Sequence, residues 1–155
     1  MLLGDMDCPR EALSAVLKGI KGRWMQPKNT VWFLALENSV YAQHVHYLLS
    51  NIKSSSLGFC YDSGHENAFT PTEDYLSCYG DILVAMHLHD NDGKHDNHYL
   101  PLHKNGVINW EDKISKLKKT KLFNEMITLE AGFDENDIFC GFKEALAVAK
   151  KLADM

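Results

Sequence analysis

Apolar residues along this chain recur at two alternating periods. Ala12, Leu13, Val16, Leu17 and Ile20 fall three and four apart, which predicts an amphipathic helix over residues 9–20, with Pro9 in its first turn and Gly22 as its stop. Residues 31–36, Val-Trp-Phe-Leu-Ala-Leu, form an unbroken apolar run, the pattern of a strand buried on both faces. The two signals then take turns. A helix is predicted over 41–52, a strand over 57–61, and a helix from the Thr70-Pro71-Thr72-Glu73 start signal to about Tyr79. A strand over 82–88, a helix opening at Asn109 and a strand over 126–129 follow. A closing amphipathic helix begins near Asn136 or Asp137, with Phe142, Leu146, Ala149 and Leu152 on its stripe. Alternation of this kind builds an α/β fold with a parallel sheet and right-handed crossovers.

The strand ends carry the polar chemistry. The four predicted strands end at or beside Glu37, Asp62, His87 and Glu130. In parallel α/β sheets, ligands and catalytic groups gather at the C-terminal ends of strands. A carboxylate there costs free energy unless it is paired, bound to a metal or turned out to water. His65 follows Asp62 by three residues, on what reads as a tight turn through Gly64. Asp62 or Ser63 also suits a purely local role, bonding the turn's own backbone. Residues 85–98 hold four histidines and three aspartates in fourteen positions, consistent with metal ligation or with a solvated polar loop. His44 and His46 are two apart on a helix and do not share a face, so they read as structural or solvent-facing.

Composition narrows the classes. A chain of 155 residues with 45% apolar and 24% charged residues suits one soluble domain. No apolar run reaches the ~20 residues that span a bilayer. The first residues carry acid where a secretory signal carries base, so the expected setting is the cytoplasm. Four scattered cysteines suggest neither a disulfide framework nor a zinc knuckle; Cys60 and Cys140 read as small core residues. A net charge of −5 argues against a nucleic-acid surface, and the lysines of residues 113–121 read as one helix's solvated face. There is no glycine-rich dinucleotide or phosphate loop.

Six pieces of the chain together resemble the xylose isomerase-like superfamily of TIM barrels, which holds sugar phosphate isomerases and epimerases and the apurinic endonucleases. They are Leu36-Glu37-Asn38, residues 58–65 (Gly-Phe-Cys-Tyr-Asp-Ser-Gly-His), His87-Leu88-His89-Asp90-Asn91, Asp96-Asn97-His98, residues 106–110 (Gly-Val-Ile-Asn-Trp) and Thr128-Leu129-Glu130. The resemblance implies the C-terminal half of a TIM-barrel-like sheet, four βα units preceded by one helix, as a single half-barrel domain over residues 1–155. It implies one divalent metal (Mn, Mg, Co or Zn) held by Glu37, Asp62, His87 and Glu130. Glu37 and Glu130 would be the acid/base pair and His65 a substrate contact. The reaction implied is isomerisation or epimerisation of a sugar or sugar phosphate, by proton abstraction next to a carbonyl through an enediolate. In the endonuclease members, residues matching Asp96 and His98 bind a further metal.

This sequence departs from the family in two respects. It matches four of the family's eight strands, and the loop over residues 101–106 lacks the first glycine of the usual Pro-Gly-x-Gly turn. A half-barrel leaves unpaired edges and an uncovered inner face. The expectation is therefore a homodimer, or an N-terminal half supplied elsewhere, acting on a small-molecule sugar. Two alternatives stand beside the isomerase: a metal-binding but catalytically incomplete half-barrel, and a phosphodiester hydrolase of the endonuclease kind.

Overall fold

The computed structural model describes residues 34–124, 126–132 and 137–155. The helix expected over residues 9–20 and the first half of the strand expected over 31–36 lie outside these. Strand β1 (Leu34–Glu37) leads into helix α1 (Ala42–Asn51), and β2 (Leu57–Asp62) runs directly into α2 (Ser63–Phe69). A short α3 (Tyr75–Tyr79) and a 3-10 turn lead to β3 (Leu83–His87). A long loop then reaches α4 (Trp110–Leu117), and α5 (Ile138–Asp154) closes the chain.

The three strands form one parallel sheet in the order β1-β2-β3. The expected fourth strand is reduced to a parallel bridge between Leu88 and Leu129. The Leu88 N–H donates to the Thr128 carbonyl at 2.9 Å, and the Glu130 N–H to the Leu88 carbonyl at 3.1 Å. Only Leu88 continues the line of β3 before the chain turns away, so the ladder has one residue to pair with.

Register decides which side chains meet. Glu37 pairs with Cys60 and Asp62 with His87, and paired residues of neighbouring strands point to the same face. An irregularity between Phe59 and Cys60 shifts the β2–β3 register by one residue, so that Asp62 stands beside His87. Glu37, Cys60, Asp62 and His87 thereby share one face. The opposite face carries Phe59, Tyr61 and Met86, all fully buried, against a core built from Val45 and Leu49 of α1, Tyr75 of α3, Ile114 and Leu117 of α4 and Leu152 of α5. Each such side chain contributes about 1.5–3 kcal/mol by leaving water.

Five local expectations are corrected. Residues 62–65 form no tight turn: Asp62 caps α2 by accepting the His65 N–H at 2.7 Å. The Thr70–Glu73 signal therefore marks the end of α2, where Thr70 bonds back to the Glu66 carbonyl at 3.1 Å, and α3 starts instead at the Asp74 cap. On α5, Ala149 and Leu152 turn inward as expected, beside Val148, whereas Phe142 and Leu146 are exposed. Cys60 is buried as expected, but Cys140 is exposed, in the first turn of α5. The lysines of α4 are not merely solvated. Lys113 reaches Glu66, which is nearly fully buried and also accepts the Tyr61 hydroxyl at 2.5 Å, and Lys116 pairs with Asp74 at 3.2 Å.

Candidate metal centre

Glu37 closes β1, Asp62 closes β2, His87 closes β3, and Glu130 follows the bridge that extends the sheet. These four side chains each offer a donor atom within 4.8 Å of all the others. His87 Nδ1 lies 3.0 Å from Glu130 Oε2, 3.5 Å from Glu37 Oε2 and 3.9 Å from Asp62 Oδ2. Asp62 is fully buried at the floor of the cluster, while the other three are partly exposed.

The two oxygens of Asp62 have different surroundings. Oδ1 takes the His65 backbone N–H at 2.7 Å and faces His89 Nε2 at 3.0 Å. Oδ2 is buried and has no hydrogen-bond partner. An unsatisfied buried oxygen costs about 1–3 kcal/mol, more when charged. Three carboxylates held this close together also repel one another. A divalent cation relieves both costs, and a set of carboxylate oxygens with one imidazole suits Mg²⁺, Mn²⁺, Co²⁺ or Zn²⁺. The residues present therefore fit a divalent metal.

His65 stands beside this set. Its Nδ1 lies 3.1 Å from Glu37 Oε1 and 3.0 Å from the Asn38 carbonyl, and its Nε2 lies 3.3 Å from Asp96 Oδ2. The hydrogen bond to Glu37, helped by the charges of Asp62 and Asp96 and opposed by burial, raises the His65 pKa to about 9. The same bond holds the Glu37 carboxyl below its usual value. Glu37 is thus kept ionised. Beneath it, the Cys60 thiol is pushed up to about 12 by burial and by the surrounding carboxylates, and stays protonated.

Asp96 and His98 arrive on the loop between β3 and α4. Asp90 anchors that loop: one carboxylate oxygen accepts the backbone N–H groups of Asn91, Val107 and Ile108 at 2.9–3.2 Å, and the other accepts the Trp110 indole N–H at 2.7 Å. A Cβ at position 106 would overlap the Asp90 carboxylate, so the glycine here is required by close approach even though the family's preceding glycine is missing. His98 has φ 51°, the left-handed region that side chains rarely adopt. Its Nε2 lies 3.2 Å from Asp96 Oδ2 and its ring stacks on His89 at 4.2 Å, 6° from parallel. His89, Asp96 and His98 have donor atoms close together. However, the nitrogen lone pairs of two parallel rings lie in separate planes and do not converge on one ion.

All seven residues expected from the sequence, Glu37, Asp62, His65, His87, Asp96, His98 and Glu130, therefore meet in one region. Three others escaped the sequence reading. Asn38 ties β1 to β2, donating to the Asp62 carbonyl at 2.8 Å and accepting the Asp62 N–H at 2.7 Å. Ser63 Oγ accepts the His89 N–H at 3.0 Å and donates to its carbonyl at 2.8 Å. His89 could have been found from the sequence, since a period of two from His87 keeps it on the site face.

Comparison with known proteins follows the same outline. The family model described as xylose isomerase-like TIM barrel matches residues 25–152. An uncharacterized protein, y4fM, of Sinorhizobium fredii (strain NBRC 101917 / NGR234) is 32% identical over 131 residues, covering 79% of this chain and 41% of that protein. A crystal structure of a D-tagatose 3-epimerase-like protein superposes with a TM-score of 0.56 at 22% identity, covering 77% of this chain and 48% of the other. The chain thus spans less than half the length of these two proteins. The strand-end site, the parallel βα order and the match over residues 25–152 agree: this chain belongs to the xylose isomerase-like TIM barrel family.

Proposed function

We propose that this chain carries the metal-binding and acid/base half of a sugar isomerase or epimerase, acting on a small sugar or sugar phosphate in the cytoplasm. The observation that carries the reading is the convergence of Glu37, Asp62, His87 and Glu130, with the buried Asp62 Oδ2 left without a donor. These four residues would hold one divalent ion. Bound there, it would polarise a substrate's carbonyl and neighbouring hydroxyl and stabilise negative charge developing on those oxygens. Glu37, held ionised by His65, is suited to take the proton from the carbon beside the carbonyl. Glu130, whose carboxylate also meets His87 Nδ1, is the proposed partner that returns a proton. His65, whose ring is fixed between Glu37 and Asp96, is the proposed substrate contact.

The rest of the barrel wall comes from outside these βα units, and a second copy of the chain is the source proposed here. A metal-binding unit without turnover is the second reading, since the four-residue cluster by itself offers enough donors to hold an ion. The test is exchange of carbon-bound hydrogen with deuterated water across a panel of ketoses, with Mn²⁺ added. Exchange in the native chain that falls at least a hundredfold in Glu37→Gln and Glu130→Gln supports the isomerase. Metal binding without exchange leaves the second reading, and no metal binding rejects both.

A further inference from the structure

We propose that His89 is a positioning residue. It holds Asp62 Oδ1 so that Oδ2 is presented to the ion, and it does not itself ligate. This rests on the metal reading above. His89 and Asp62 are both fully buried, and His89 Nε2 lies 3.0 Å from Asp62 Oδ1. Four separate contacts keep the ring in place. The Ser63 hydroxyl clasps both backbone groups of His89. The ring edge between its two nitrogens rests on Gly64, where any Cβ would overlap it. One ring face stacks on His98, and Nε2 meets Asp62. Gly64 is therefore required by the close approach of this ring, rather than by a turn.

The arrangement divides the labour of the carboxylate. Oδ1 is occupied by the His65 backbone N–H and the His89 ring. Oδ2 has no partner and lies on the side of His87. A carboxylate fixed at one oxygen binds an ion through the other with little rotational freedom left to lose. Partners of this kind behind a metal ligand are worth about 10–100-fold in metal affinity. The alternative, His89 as a ligand of a second ion with Asp96 and His98, conflicts with the parallel stacking of the two rings.

The test is calorimetric titration of the full chain with Mn²⁺, with folding followed by circular dichroism. His89→Leu is expected to fold and to lose 10–100-fold in affinity at unchanged stoichiometry. His89→Gln, whose amide can still donate to Asp62, is expected to stay within about fivefold of native. Gly64→Ala, which displaces the ring while leaving every proposed ligand in place, is expected to weaken binding like His89→Leu. Native-like affinity in a folded His89→Leu or Gly64→Ala overturns the inference. So does a loss of more than tenfold, or of one bound ion, in His89→Gln, a variant that can still overturn the inference if the other two fail to fold. If the native chain binds no Mn²⁺, the metal reading falls and this inference falls with it; native binding that His89→Leu and Gly64→Ala leave unchanged overturns this inference alone.

Discussion

Asp90 illustrates how one residue organises the site without belonging to it. Its carboxylate is almost fully buried and accepts three backbone N–H groups and the Trp110 indole. Asp90→Ala leaves three buried donors unsatisfied, those of Asn91, Ile108 and the Trp110 indole, and should cost at least ~3 kcal/mol. Asp90→Asn keeps an acceptor for the amides but turns a donor toward one of the partners, costing about 1–2 kcal/mol. Urea unfolding of the three proteins checks that order. Because the loop carries Asp96 and His98, Asp90→Ala should also unstack His98 from His89, visible as a shift of the histidine ring signals in NMR. Glu37, Asp62, His87 and Glu130 were legible because they fall at strand ends, His65 because it follows Asp62 by three residues, and Asp96 and His98 through the family resemblance. Asp90 was not, because its partners lie up to twenty positions along the chain.

Helix α2 was the element hardest to foresee. Its seven residues show no clear apolar stripe, and its cap, Asp62, looks like a site residue first. What holds it is tertiary. Glu66 is buried between the Tyr61 hydroxyl and the Lys113 ammonium, which bolts α2 to β2 and α4. Burial, with the charge of Glu66 second, drives the Tyr61 pKa well above its usual value, so the phenol remains a donor. Removing one partner of a buried pair strands the other, so Glu66→Ala should lose about 3–5 kcal/mol. Glu66→Leu combined with Lys113→Met should recover much of that loss, since no buried charge is left alone. Thermal melts of the single and double variants test this. A double variant as unstable as the single would mean that the Tyr61 hydroxyl, rather than the charge pair, sets the cost.

At the scale of the whole molecule, the convergence of carboxylates couples metal to folding. If the site binds Mn²⁺, saturation at a hundredfold above the dissociation constant should add about 2.7 kcal/mol of stability, and EDTA should remove it. A melting temperature indifferent to Mn²⁺ would count against the site. Association is testable in the same samples: light scattering behind a sizing column is expected to give twice the 17.6 kDa mass of one chain, and a monomer at high concentration would reject the second-copy proposal. Among the described residues no helix is long and apolar enough to cross a membrane.

The sequence by itself determined the alternation of strand and helix and the residues at the strand ends, because both are periodic and local: apolar spacing reads out the elements, and each strand's last polar residue is adjacent to it. Tertiary structure decided the rest. The one-residue register shift that sets Asp62 beside His87 depends on pairing between strands twenty residues apart. Likewise, the reduction of the fourth strand to a single bridge depends on where the chain leaves β3. The division of Asp62 into one held and one unpartnered oxygen arises only when His89, Ser63 and Gly64 are packed together. Such features depend on distances between groups remote in the chain, and neither propensity nor spacing encodes them until the fold is formed.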